Sequence, residues 1–340
     1  MVELWCPLAD CFSYFVTPLS MTFTENALFP FRLLKEHDYA LVDRYLIGDS
    51  VHDIATIAPD LLPVVPTGME ADADKFPTLL HLSELSDDAL QALFALLERA
   101  HSAHEMLPIV CLFKCDDSIE QLRWHWMRKI VVQAAPPQKL AAPGQKFQLR
   151  SYVPSVLVQL QRIYTPAQFK ALFGNIQVWS IYHGQRWHSI NAPPECASDH
   201  CLFEEAQLAQ LLRIQAINRT LTELSARQDS AQTEDEMTSG LPRPHYRPEN
   251  PADFFTMSHA IDNLIVRAQT HGLMREDDQV QFALHGLTQH LQFDAHPRIQ
   301  KMLAEMDGQE QTYLDATALL QPDDWQRIQT DLQSAAPNKA

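Results

Sequence analysis

Glycine is scarce in this chain: 9 among 340 residues, against 22 prolines. So few glycines argue against an architecture that cradles phosphates in glycine-rich loops. The expected signatures are indeed missing: no Walker phosphate loop, no dinucleotide fingerprint, no HExxH zinc helix and no GxSxG elbow occurs. Cysteine is also sparse. Six in 340 residues are too few for a disulfide scaffold and point to a reduced, cytoplasmic chain. No stretch approaches 18 uncharged apolar residues, which excludes a membrane-spanning helix. The first basic residue is Arg32, and Glu3, Pro7 and Asp10 interrupt the apolar start, a pattern unlike a secretory signal.

One further absence is local. Residues 123–190 contain no Asp or Glu but nine Lys or Arg. Residues 1–122 carry 20 acidic and 6 basic side chains, and residues 191–340 carry 23 and 11, for an overall charge of −17. The positive block either packs against its acidic flanks or forms a surface that docks an acidic partner. Nucleic acid is a third reading, and the overall charge works against it.

What is present is ordinary globular composition, 46% hydrophobic and 20% charged, at a length that favours two domains. Short apolar runs over Tyr39–Leu46, Leu61–Val65, Thr78–Leu82 and Pro108–Phe113 predict strands. So do the alternating runs Lys146–Arg150, Ile176–Tyr182 and Trp187–Ile190. Ser86 before two aspartates, Ser118, Pro154 and Thr165-Pro166 mark helix starts, and Gly174 marks a helix end. The expected fold class is α+β: a mixed α/β lobe over 36–190, with 1–35 as an extension packed on it. A connecting helix over 191–225 and a proline-rich linker over 226–251 then lead to a separate all-α lobe over 252–335. Its expected helices are Phe254–Gln269, Asp277–Leu291, His296–Met306 and Asp323–Leu332, with a weaker signal over Thr312–Leu320.

Four constellations could carry chemistry. Cysteines fall in near pairs, and Cys196 and Cys201 with His200 come closest to a zinc set at slightly too wide a spacing. Cys111 and Cys115 lie on a core strand, where cysteine acts as a small hydrophobe. Glu98, His101 and His104 share a helix, but no second Glu-x-x-His motif completes a metal site. His183 and His188 flank a turn at Gly184 with Arg186 and Trp187, without an acid or nucleophile beside them. Finally, Arg123, Trp124, His125, Trp126, Arg128 and Lys129 form a basic, aromatic helix. Trp and Arg are the residue types that dominate interface hot spots.

From Tyr39 to about Tyr182 the chain resembles a family of bacterial type VI secretion adaptors, also called effector chaperones. Tyr39-Ala-Leu-Val-Asp43 resembles the family's opening strand. Leu79-Leu-His-Leu82 resembles a second signature strand. Cys111-Leu-Phe-Lys-Cys-Asp-Asp-Ser118 with Leu122, Trp126, Arg128 and Lys129 resembles a strand leading to an arginine-bearing helix. Phe147-Gln-Leu-Arg-Ser-Tyr-Val-Pro154, Thr165–Gly174 and Trp179 resemble the block where the family reads Arg-Phe-Tyr-Asp-Pro. The chain departs at Val153, where Asp is usual, and at Asn175, where Pro is common.

The resemblance implies a cytoplasmic, non-enzymatic protein without cofactor, nucleic acid or membrane partner. It implies binding to a toxic effector, through the effector's N-terminal segment, and loading of that effector on the VgrG spike. The expected contacts are Arg123, Trp124, Arg128, Arg150 and Tyr152. The alternatives are a metal-dependent enzyme and a nucleic-acid binder using 123–190.

Overall fold

The computed structural model describes residues 31–43, 50–103, 107–133, 146–183, 186–193, 203–235, 251–306 and 312–335. They belong to two compact units, Met1–Leu208 and Ala209–Ala340.

The first unit runs α1 (Phe31–Glu36), β1 (Tyr39–Val42), α2 (Ser50–Ile57), β2 (Leu62–Pro63), β3 (Thr78–His81), α3 (Asp87–Ser102), β4 (Ile109–Cys115) and α4 (Ile119–Lys129). It continues through β5 (Val131–Gln133), β6 (Lys146–Gln148), α5 (Pro154–Ile163), α6 (Pro166–Phe173), β7 (Ile176–His183) and β8 (Arg186–Asn191). Six strands form one sheet in the order β2-β3-β1-β4-β7-β8, and β5 pairs with β6. Every described pairing is antiparallel.

All four residues of β1 are buried, which is why the strand reads as a continuous apolar run rather than an alternation. The pleat sends Ala40, Val42, Leu80, Ile109, Leu112 and Trp187 to one side. There they share a core with Leu33 and Leu34 of α1, Ile54 of α2 and Leu93 and Leu97 of α3. Register places Tyr39 opposite Phe113, Leu41 opposite Cys111, and Phe113 opposite Trp179, so these side chains point to the other side. There Trp126 of α4 and Phe173 of α6 meet Trp179 at ring centroid distances of 5.1 and 5.3 Å. The sheet is therefore a middle layer between two helical layers, the arrangement that covers both faces of a sheet.

Three expected helix starts stand where the sequence places them. Ser86 accepts from the Ala89 amide, and Ser118 and Thr165 each close a capping box with the glutamine three residues on. Elsewhere the bounds differ. The expected strand over Tyr39–Leu46 is β1, which ends at Val42, and residues 44–46 lie outside the described residues. The run over Leu61–Val65 yields a strand of two residues, because Pro63 has no N–H for a further ladder bond.

Helix α7 (Glu205–Asp235) contains the boundary between the units and covers 226–235, ten residues that composition assigns to a linker. The stretch is polar, but no Pro or Gly interrupts it before Gly240, so nothing stops the helix there. The second unit continues with α8 (Pro251–Thr270), α9 (Glu276–Thr288), α10 (Pro297–Met306), α11 (Tyr313–Ala318) and α12 (Pro322–Ala335). These helices pack around Ile217, Ile261, Leu264, Phe282, Phe293, Ile299, Tyr313 and Ile328. Arg213 and Asp262, 2.5 Å apart and both largely buried, tie α7 to α8. The all-α character expected for this lobe is thus present, with a mixed α and β lobe before it.

Candidate functional site

Helix α4 holds three of the five expected contact residues, and its inner face decides which can reach solvent. Leu122, Trp126 and Ile130 recur at helical spacing and are at most 1% exposed. Trp126 lies edge-on to Trp179 and 5.4 Å from Phe113, which fixes the rotation of the helix about its axis. The opposite stripe is Glu120, Trp124 and Arg128, all exposed. Trp124 is 56% exposed, whereas Trp126, Trp179 and Trp187 are at most 1%.

Arg123 sits between the two faces. Its Nε donates to the Pro63 carbonyl at 2.7 Å, tying α4 to the edge of the sheet. His125 leans the other way, with Nε2 2.8 Å from the Leu172 carbonyl. Burial pushes its pKa down to about 4, and the nearby Lys129 and Arg128 charges act in the same sense, so the ring is neutral. A neutral ring with Nε2–H donating to that carbonyl leaves no charge on this flank. The ring also lies over Gly174, whose φ is +59°. A Cβ there would sit 2.6 Å from His125 Cε1. This close approach, together with the left-handed backbone, explains the glycine at the end of α6.

Arg150 and Tyr152 lie in the core beneath this helix rather than on its surface. Arg150 pairs with Asp43, whose side chain is fully buried, and its Nε lies 3.1 Å from Tyr152 Oη. Tyr152 is 0% exposed and meets Trp126 edge-on. Burial raises the Tyr152 pKa, the Asp43 charge adds to this and Arg150 opposes it, so the phenol stays protonated. The expectation that Tyr152 offers a surface contact is therefore corrected: its ring and hydroxyl are spent inside the fold. Arg150 is turned inward as well, with a quarter of its side chain exposed. In the sequence, an Arg-x-Tyr pair invites a binding role. Only the strand end at Asp43, 107 residues away, reveals it as one side of an internal ion pair.

Among the described residues, the remaining candidates do not gather into a reactive cluster. Cys111 and Cys115 are buried free thiols. Burial raises both pKa values, that of Cys115 to about 11, so neither is a thiolate near neutral pH. His101 Nδ1 lies 2.6 Å from Tyr182 Oη, and His188 Nε2 lies 3.0 Å from the His183 carbonyl. Among the described residues, no three His, Cys, Asp or Glu side chains gather as metal ligands. His104, Gly184, Cys196, His200, Cys201 and the pair Cys6/Cys11 lie outside the described residues. No helix among the described residues is long and apolar enough to cross a membrane.

One constellation escaped the sequence reading. His37 Nε2 lies 2.8 Å from Ser180 Oγ, which is 2.7 Å from Ser189 Oγ, while His37 Nδ1 lies 2.8 Å from the Leu33 carbonyl. Ser180 is fully buried and His37 is 5% exposed. This is a chain of polar groups stitching α1 to β7 and β8 inside the core. No carboxylate orients the ring, and the Ser180 hydroxyl is fully buried, so the pair has no opening to a substrate. Separations of nine and 143 residues left no local signal for it.

No family model, curated protein or solved structure matches the chain.

Proposed function

We propose that the chain is a non-enzymatic adaptor of the type VI secretion system. In this reading it binds a toxic effector in the cytoplasm of the producing cell and promotes its loading on the VgrG spike. One observation carries the reading. The blocks that resemble the adaptor family are dispersed over about 145 residues, yet they converge on one side of one sheet. β1, β3, β4 and β7 are adjacent strands, and α4, α5 and α6 cover that side. The first block meets the last directly, through the Asp43–Arg150 ion pair. A shared architecture requires such convergence, and this is what supports the reading.

The departure at Val153 has a local account within this reading. Val153 precedes α5 and makes no side-chain cap bond, so Pro154 at the first helical position carries the helix start alone. Arg150 draws its carboxylate from Asp43 instead.

The test is co-expression of the full chain with the toxin encoded beside it, followed by deletion of this gene in the secreting strain. The expected results are a complex that survives gel filtration and loss of toxin delivery. A toxin that stays free in solution, with delivery intact after deletion, rejects the proposal.

A further inference from the structure

The outer stripe of α4 has a chemistry that selects its occupant. Trp124 presents a half-exposed indole, the largest apolar group on this helix outside the core. Arg128 follows it by four residues and is exposed, on the same side of the helix. Glu120 precedes Trp124 by four residues and is also exposed. Along roughly 12 Å the stripe thus reads carboxylate, indole, guanidinium. Lys129 and Arg128 both lie close enough to oppose a charge on His125, so positive side chains gather at this end of the helix. His125 itself stays neutral, while Arg123 remains charged with its Nε turned to the Pro63 carbonyl, so the arginines make this helix a basic surface.

We infer that this stripe docks an acidic, amphipathic segment of a partner protein, with an apolar side chain on Trp124 and a carboxylate at Arg128. The inference rests on the adaptor reading for the partner's identity but not for its chemistry. Charge complementarity sets the order. A carboxylate beside Glu120 is repelled, while one beside Arg128 accepts a bidentate pair. The indole supplies desolvated area next to that pair, the combination typical of interface hot spots. A segment with an acid four residues from a Leu, Phe or Trp presents both groups about 6 Å apart on one helical face and matches the spacing.

The test uses the full chain and an array of synthetic 15-residue peptides that carry Glu four residues from Leu, Phe or Trp, in both chain orders, with Lys-for-Glu counterparts. The expected result is saturable binding of the acidic peptides that weakens as salt rises. Arg128→Glu and Trp124→Ala each lower affinity at least tenfold, and Arg128→Glu transfers preference to the Lys peptides. Both substitutions lie on an exposed face, and unchanged urea midpoints would show that the fold is intact. No saturable binding, equal binding of the Lys peptides, or indifference to both substitutions overturns the inference. So does sedimentation showing that the free chain self-associates through this face and that Trp124→Ala dissociates it. A parallel co-purification separates the two claims. If the neighbouring toxin is retained equally by the wild type and by the W124A/R128E chain, the adaptor reading stands and this docking face falls. If the wild type retains no toxin, the adaptor reading falls and the peptide data alone judge the face.

Discussion

Arg150 gains its meaning from a carboxylate it cannot reach in sequence. Asp43 is fully buried, and removing the cation from such a group costs far more than losing an exposed ion pair. Arg150→Ala is therefore expected to destabilise the first unit by about 3–5 kcal/mol, read as a lower urea midpoint. The double change Asp43→Asn with Arg150→Met should recover part of that loss, since it removes both charges together. His285 supplies a second prediction at this scale. Its ring is enclosed by Phe293, Tyr313 and Trp325. Nδ1 lies 2.8 Å from Tyr313 Oη, and Nε2 lies 2.8 Å from the Gln281 amide nitrogen, so Nε2 accepts and Nδ1 donates. Burial pushes its pKa down to about 4, and Arg227 acts in the same direction. The unfolded chain, with a histidine pKa near 6.5, takes up the proton first. Stability contributed by the neutral ring is then present above pH 6.5, erodes as pH falls towards 4, and is fully lost below that. The expected loss is about 3 kcal/mol across this window, measured by chemical denaturation at pH 7.5, 5.5 and 4. A His285→Gln chain should show a flatter profile over the same range.

At the scale of elements, caps and turns did most to make the fold legible. Ser86, Ser118, Thr165 and Gly174 each announce a helix boundary through local hydrogen bonds or backbone conformation, and each sits where the sequence places it. The junction of α4 and α6 was not legible. It depends on His125 resting on Gly174 across 49 residues, which no periodicity encodes. Gly174→Ala is expected to cost about 1–3 kcal/mol from the positive φ alone, plus a steric share from the ring. Adding His125→Ala should return the steric share and leave the backbone share, a split that a double-mutant cycle in urea resolves. The outer stripe of α4 was legible in part. Helical spacing already groups Trp126 with Leu122 and Ile130 and leaves Trp124 for the outer face, and the burial of the two rings agrees. What no spacing could show is the burial of Tyr152 against Trp126 and Arg150, which removes it from the surface set.

For the molecule as a whole, the sequence separates a mixed lobe from a helical one because strand-like alternation fades after residue 190. It reads 226–235 as linker where α7 continues, because a polar helix and a polar linker share a composition. The second unit has its own apolar core. A fragment beginning at Ala209 is accordingly expected to melt cooperatively by circular dichroism at 222 nm, whereas a gradual, featureless melt would show that it depends on the first unit. One edge of the first sheet carries a consequence of a different kind. β2 is two residues long, Pro63 has no N–H to offer, and the Pro63 carbonyl is already engaged by Arg123. An incoming strand finds no donor at this residue and an acceptor already shared with a guanidinium, so this end of the rim is a poor template for stacking one molecule on the next. Replacing Pro63 with Val together with Arg123→Ala would remove both guards, and thioflavin fluorescence on prolonged storage would report whether polymers then grow.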